Sequence, residues 1–230
     1  MKIWTPTGMD LAEGKVKYRD EKLAALEKKD KPAKTTPFFV EFIGGDGVAA
    51  DAIACTPETL LDVLIPDMEK CEARLSRSTD EEERELAERC LARLESGEPL
   101  CDADFSDAER EAVRKLSFLS FKPVVIVDPS ANEQDVIRAC LEKGGWIFFY
   151  TSGPKESHAW WVKKGATIVE CAGRIHTDLA RGFIKGDVVR FEDYLECHNM
   201  NDCRARGVVR VVDRDYVVSD SEIIEIRFNV

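Results

Sequence analysis

Apolar and polar positions alternate in three different rhythms along this chain. Up to about residue 55 the apolar residues come in short runs. Pro37-Phe38-Phe39-Val40-Glu41-Phe42-Ile43 predicts a strand that ends at the turn Gly44-Gly45-Asp46-Gly47. Ahead of it, Asp20–Lys29 predicts a short charged helix with Leu23 and Leu26 on one face, and Lys31–Lys34, broken by Pro32, a polar connection. From residue 57 the spacing becomes helical: Leu60, Leu64, Met68, Cys71 and Leu75 share one face, with Pro66 expected to start or kink the helix. After a polar turn at Ser76–Asp80, Ser78 and Glu81 stand at capping-box spacing, and Leu86, Cys90 and Leu94 lead to a stop at Gly97. The short joint predicts an antiparallel helical hairpin over about residues 57–97. Its outer face, with Glu81, Glu82, Glu83, Glu85 and Glu88, reads first as a solvated surface and second as an acidic docking surface.

A third helix is expected from Ser106, with Glu109 three residues on. Val124-Val125-Ile126-Val127 predicts a buried parallel strand, Ser130–Lys143 a helix closed by Gly144-Gly145, and Trp146–Tyr150 another buried strand. Beyond Thr151 the pattern is of short strands around one helix. Ala159–Val162, Val188–Phe191, Val208–Val212 and Ile223–Phe228 read as strands, Lys163-Lys164-Gly165 as a turn, and Thr167–Arg174 as the helix. The expected fold class is therefore α/β plus α+β. A partial parallel α/β sheet carries the inserted helical hairpin, and a β-grasp, ubiquitin-like domain follows.

The 230 residues are 44% hydrophobic and 33% charged, a globular composition, with a net charge of −11. That sign argues against a protein that coats DNA or anionic membrane by bulk charge. Residues 144–230 hold 12 basic and 13 acidic side chains, so almost all of the acidity lies earlier and the C-terminal part has room for a local basic face. No apolar run approaches the roughly 20 residues that span a bilayer. No signal-peptide pattern opens the chain, and a cytoplasmic protein with reduced thiols is expected. Of its eight cysteines, Cys71, Cys90 and Cys140 fall on apolar helix faces. Cys197, His198, Asp202 and Cys203 offer metal-ligand types at a spacing that fits no usual zinc pattern, and they read as surface-loop residues. No HExxH, CxxC or Ser/His/Asp set is present, so no catalytic residue, metal or cofactor is predicted.

Several stretches resemble one family, the YchF-type Obg-like P-loop ATPases. The closest are AGRIHTDLARGFIKGDVVRFEDYLE (172–196) and DRDYVVSDSEIIEIRFNV (213–230), which are similar to its C-terminal TGS domain. LSFLSFKPVVIV (116–127) and IRACLEKGGWIFFYTSGPKESHAWWVKKGA (137–166) resemble the end of its ATPase domain and the entry to TGS. GKVKYRDEKLAAL and KPAKTTPFFVEFIGG are similar, more loosely, to the region of its second and third strands. The resemblance implies a truncated G-domain-like region at 1–150, in which the hairpin is the family's coiled-coil insertion, and a TGS-like domain at 151–230. It further implies a setting at the ribosome.

The departures shape the functional expectation. The chain has no GxxxxGK[ST] loop to cradle phosphates. Gly44 stands where the family has its magnesium-linked Asp, with only Gly47 matching and Asp46 displaced by two residues. Pro129 stands at the base-specificity Asn, without the hydrogen bonds an amide supplies. Hydrolysis of ATP or GTP by the chain alone is not expected. The resemblance implies instead a non-catalytic binding protein that engages the ribosome or structured RNA. Its candidate contacts are Lys163, Lys164, Arg174, His176, Arg181 and Lys185. Each cation is otherwise an ordinary surface charge, and His176 a helix-end cap stabilised with Thr177 and Asp178. Trp160 and Trp161 must face opposite sides of their strand, one toward the core and the other toward a neighbouring domain or a nucleic-acid base. Two rivals stay open: half of a split nucleotide hydrolase completed by a partner chain carrying the phosphate loop, and a protein-interaction adaptor using the hairpin. Exposed edges of an incomplete sheet also leave room for a homodimer.

Overall fold

The computed structural model describes residues 1–6, 9 and 11–229; Thr7, Gly8, Asp10 and Val230, the last residue of the expected C-terminal domain, lie outside the described residues. Contacts divide the chain into two units, Met1–Val16 with Phe39–Gly144, and Lys17–Phe38 with Gly145–Val230. The sequence-based division at residue 150 differs in two places. The change of unit falls at Gly144, and residues 17–38 go with the second unit, because their strand and helix find partners there.

In the first unit, β1 (Lys2–Trp4), β2 (Gly14–Lys17), β4 (Phe39–Ile43), β5 (Ala52–Cys55) and β6 (Val124–Ile126) form a sheet in the order β2-β4-β1-β5-β6. β1, β4, β5 and β6 run parallel. All four residues of β5 are buried, as a central parallel strand requires. The connection from β4 to β5, residues 44–51, is eight residues long and carries no helix. That is shorter than the dozen or so residues a parallel crossover usually takes.

α2 (Leu60–Arg77) and α3 (Glu81–Glu95) follow, then α4 (Asp107–Lys115) and α5 (Glu133–Lys143), which packs on β5 and β6. Leu64, Cys71, Cys90, Leu94, Leu100, Val113 and Phe118 close one core among α2, α3 and α4. Pro66 sits inside α2, and the helix begins at Leu60 ahead of it. α3 is capped by Asp80, whose carboxylate accepts from the Glu83 amide at 3.0 Å, and not by the expected Ser78–Glu81 box. Ser78 instead ends α2, and its hydroxyl donates to the Glu83 carboxylate at 2.5 Å. Asp outcompeted Ser because it lies next to the first helical residue. The Ser106–Glu109 box on α4 is present in both directions. Asp67 on α2 is fully buried and accepts from the amides of Leu119 (2.9 Å) and Ser120 (2.7 Å) and from the Ser120 hydroxyl (2.7 Å).

The second unit holds α1 (Glu21–Asp30), β3 (Lys34–Thr36), β7 (Trp146–Ser152), β8 (Glu156–Lys163), α6 (Ile168–Ile175), α7 (Thr177–Arg181) and β9 (Phe183–Val189). It continues through α8 (Phe191–Glu196), α9 (Met200–Ala205), β10 (Arg210–Val212) and β11 (Glu222–Phe228). The sheet order is β10-β9-β11-β7-β8-β3. β11 is parallel to β7 and β3 to β8, while the remaining pairs are antiparallel. α6, held by a Thr167–Glu170 capping box, lays Ile168, Cys171 and Ala172 on a core that includes Phe149, Val162, Val188 and Ile224.

Two expected elements shift here. The strand expected at Val188–Phe191 runs from 183 to 189. Phe191 opens α8, which buries Phe191 and Tyr194 three residues apart and has Glu192 and Asp193 in its first turn. The expected polar connection at 31–34 ends in β3, whose partner lies far along the chain. Asp187 is fully buried in β9 and binds Arg204 Nε at 2.9 Å and Arg227 Nε at 3.1 Å.

Candidate functional site

Ligands of parallel sheets sit beyond the carboxyl ends of the strands, where connections leave in opposite directions. In the first unit that place is the end of β1. A phosphate-binding unit would need a loop of free amides leading into a helix there. Among the described residues no helix intervenes between β1 and β2. The 44–51 loop lies against the Trp4 indole, whose Nε1 donates to the Gly45 carbonyl at 3.0 Å. A Cβ on Gly47, at φ +70°, would come within 2.5 Å of that ring, so only glycine permits the contact. Three of the loop's amides are committed. Val48 N donates to Asp46 Oδ1 at 3.0 Å, Ala50 N to the Gly47 carbonyl at 3.1 Å, and Asp51 N to the Lys2 carbonyl at 2.8 Å. Asp46 is thus engaged in its own turn. Lys122 Nζ donates to the Gly47 and Val48 carbonyls (3.0 and 2.5 Å), and burial lowers its pKa. Beyond β6, Asp128 Oδ1 accepts from Ser130 N and Oγ across Pro129, and the Ser130 hydroxyl and amide hold this carboxylate below its usual range.

The six cations expected at an RNA contact meet different fates in the second unit. Arg181 pairs with Asp178 at 2.8 Å, and Lys185 pairs with Asp213. His176 caps α7, its Nδ1 accepting from the Asp178 amide at 3.2 Å. Lys164, exposed, follows β8 in a turn, and its amide donates to the Gly145 carbonyl at 2.8 Å. Lys163 and Arg174 are the two that the fold brings together. Lys163 Nζ lies 3.5 Å above the Trp146 ring, the Arg174 guanidinium lies 4.8 Å from the Trp161 ring centre, and the two indoles meet at 6.0 Å. The more C-terminal arginines are drawn into acidic partners: Arg204 with Asp187 and Glu225, Arg206 with Asp202, Arg210 with Glu222.

Trp160 faces the other way from Trp161. It stacks on Phe149 (6.3 Å) and His158 (3.6 Å) and donates to Thr151 Oγ1 at 3.0 Å. Trp146 was missed by sequence reasoning, which placed it in a buried strand; it is only part-buried. Its signal was the β7–β8 register, in which Trp146 faces Lys163 and Phe148 faces Trp161. Cys197 and Cys203 are buried and pack as core residues, a correction to their reading as surface-loop groups, whereas His198 is exposed. Among the described residues no three His, Cys, Asp or Glu side chains gather to hold a metal ion. Among them, too, no helix is long and apolar enough to cross a membrane.

The two sheets define a two-unit mixed α/β protein. Comparison with known proteins shows what the chain resembles. Residues 146–229 match YchF-GTPase_C, described as a protein of unknown function (DUF933). The chain is 28% identical to the "Ribosome-binding ATPase YchF" of Bacillus subtilis (strain 168), over 74% of this chain and 65% of that protein. It is 36% identical to the Haemophilus influenzae protein of the same name, over 57% of this chain and 36% of that one. Against human "Obg-like ATPase 1" the identity is 42%, over 36% of this chain and 21% of that protein. The chain therefore spans under two thirds of the length of these curated relatives. In fold it is similar to the solved Schizosaccharomyces pombe YchF GTPase, with a TM-score of 0.74 at 20% identity, covering 96% of this chain and 89% of that one. The chain is thus similar to YchF-type, Obg-like proteins, with the family-model match confined to residues 146–229.

Proposed function

We propose that this chain is a binding protein of the translation apparatus that engages the ribosome or structured RNA through its second unit and hydrolyses no nucleotide by itself. The second unit is read as a TGS-type β-grasp. Its strand order β8-β7-β11-β9-β10, with β7 and β11 parallel at the centre and α6 packed on β8 and β9, supports that reading. The names of the relatives, ribosome-binding ATPases, support the setting.

The observation that carries the non-catalytic part is the end of β1. The sequence has no GxxxxGK[ST]; in the β4–β5 loop the Val48 and Ala50 amides are spent within the loop and the Asp51 amide on the Lys2 carbonyl of β1. A main-chain phosphate cradle supplies most of the binding and transition-state stabilisation in P-loop enzymes, so without one no turnover is expected.

Two measurements test the reading. The purified chain should co-sediment with ribosomes in about 50 mM salt and release steeply by about 200 mM, as phosphate contacts do. Titration with labelled ATP and GTP should give no binding tighter than about 1 mM, the level left when the cradle and base-reading amide are absent. Micromolar binding of either nucleotide, or salt-independent absence from the ribosome pellet, rejects the corresponding half.

A further inference from the structure

Trp146 and Trp161 are diagonal neighbours on one face of the β7–β8 ladder, since Trp146 faces Lys163 and Phe148 faces Trp161. Their rings meet at 61°, and both stay part-exposed. Phe38 backs Trp161 at 5.4 Å and so fixes the wall behind it. On the opposite face Trp160 packs on Phe149 and His158 and donates to Thr151, whereas beyond Phe38 the Trp146–Trp161 pair keeps part of its surface open. Each ring instead carries a cation: Lys163 over Trp146 and Arg174 over Trp161. An aromatic face with a positive charge at its rim matches a base joined to a phosphate.

We propose that Trp146 and Trp161, with Lys163 and Arg174, form a stacking site for unpaired bases of single-stranded RNA. The inference rests on the RNA-engaging reading above and gives it a contact surface. Each part-exposed indole takes one base, while the lysine or arginine leaves the ring and meets the neighbouring phosphate. That exchange is favourable. An exposed cation–ring contact is worth about a 2- to 5-fold factor in equilibrium, whereas stacking a base on an aromatic side chain is worth about 5- to 150-fold. Duplex RNA keeps its bases inside the helix and has none to offer. A protein partner would have little use for two cations already seated on the apolar rings.

The test uses the full chain and a fluorescein-labelled oligouridine of about 12 nucleotides, within the span such single-strand sites cover. Fluorescence anisotropy at about 50 mM salt should show binding, with intrinsic tryptophan emission quenched, and a duplex of equal length bound at least about 10-fold more weakly. Trp146→Leu with Trp161→Leu should weaken binding at least about 10-fold, and the paired Phe substitutions, which keep a stacking face, by less than about 3-fold. Circular dichroism checks the fold of each variant. Should the Leu pair unfold, Lys163→Gln with Arg174→Gln carries the test through the salt dependence, whose slope should fall by about 1.4, about 0.7 for each phosphate of the single strand left without its cation. Equal binding by the wild type and the folded Leu pair, an unchanged salt slope in the Gln pair, equal affinity for duplex, or no binding by the wild type overturns the site. Ribosome co-sedimentation of the same proteins separates the two claims: retention of the Leu pair in the pellet leaves the broader reading standing without this site.

Discussion

Asp67→Ala is the sharpest test of how the first unit is held together. The carboxylate is fully buried on α2 and receives three donors from residues 119–120, the stretch that leads toward β6. Lys70 Nζ, 3.4 Å away and itself 41% exposed, adds only a screened charge. Alanine leaves the two amides and the hydroxyl without partners in a dry setting. Each orphaned donor costs about 1–3 kcal/mol, and removing one partner of a buried charged network costs about 3–5 kcal/mol in all. Asn, which keeps the volume and one acceptor but points an N–H group at a donor, should cost about 2 kcal/mol. Domains are stable by about 5–15 kcal/mol, so the Ala variant should fold yet unfold early. The assay is urea unfolding followed by the tryptophan indole ¹H–¹⁵N signals. Trp4 reports the first unit, and Trp146, Trp160 and Trp161 report the second. With a urea slope of about 2 kcal/mol/M, the Trp4 midpoint should fall by about 2 M. A fall of less than about 0.5 M would show that water or Lys70 already satisfies these donors and would refute the reasoning.

The second unit yields two further expectations. Burial lowers the pKa of His158, stacked on Trp160, below its ordinary 6.5, with Glu156 opposing the shift. The unfolded chain then binds the extra proton first, so the stability His158 contributes is complete above about pH 6.5 and is lost as pH falls through the folded value. Thermal melts should show the midpoint dropping across that window and His158→Gln flattening the drop; a parallel slope in the variant counts against it. Asp187→Ala strands the arginines 204 and 227 beside β9 and should destabilise the second unit by about 3 kcal/mol, the lower end for a buried pair because Arg204 is partly exposed. Unmoved Trp146, Trp160 and Trp161 midpoints would contradict this.

The sequence made local chemistry legible and hid what depends on pairing. The Ser106–Glu109 box, the Leu60-Leu64-Cys71 face and the Leu23/Leu26 helix needed only neighbours within one turn. β3 was not legible, because Lys34-Thr35-Thr36 has no apolar rhythm and gains its ladder only from Glu156-Ser157-His158. α9 escaped because six residues, only half of them apolar and held by the Asn199 cap, are too short for a period to emerge. At the candidate site, composition pointed to six cations without saying which were neutralised. Asp178 and Asp213 decided that for Arg181 and Lys185. The Trp146–Lys163 partnership is a matter of strand register, which alternation alone does not fix.

At the end of β1 the β4–β5 loop packs on a tryptophan. Gly47 lets the β4–β5 loop lie on the Trp4 indole, so the two residues should act as one unit. Gly47→Ala should cost about 3 kcal/mol: about 1 for alanine at positive φ and the rest for overpacking against the indole. In a Trp4→Leu background the ring is gone and only the backbone strain remains, so the same substitution should cost about 1 kcal/mol, a coupling of about 2. Urea unfolding followed by the backbone amide ¹H–¹⁵N signals of α2 and α3 measures the cycle without needing Trp4 as a reporter. Additive costs would mean that the loop shifts freely off the indole. A loop that moves so easily could also clear the strand end for a ligand, which the rigid packing forbids.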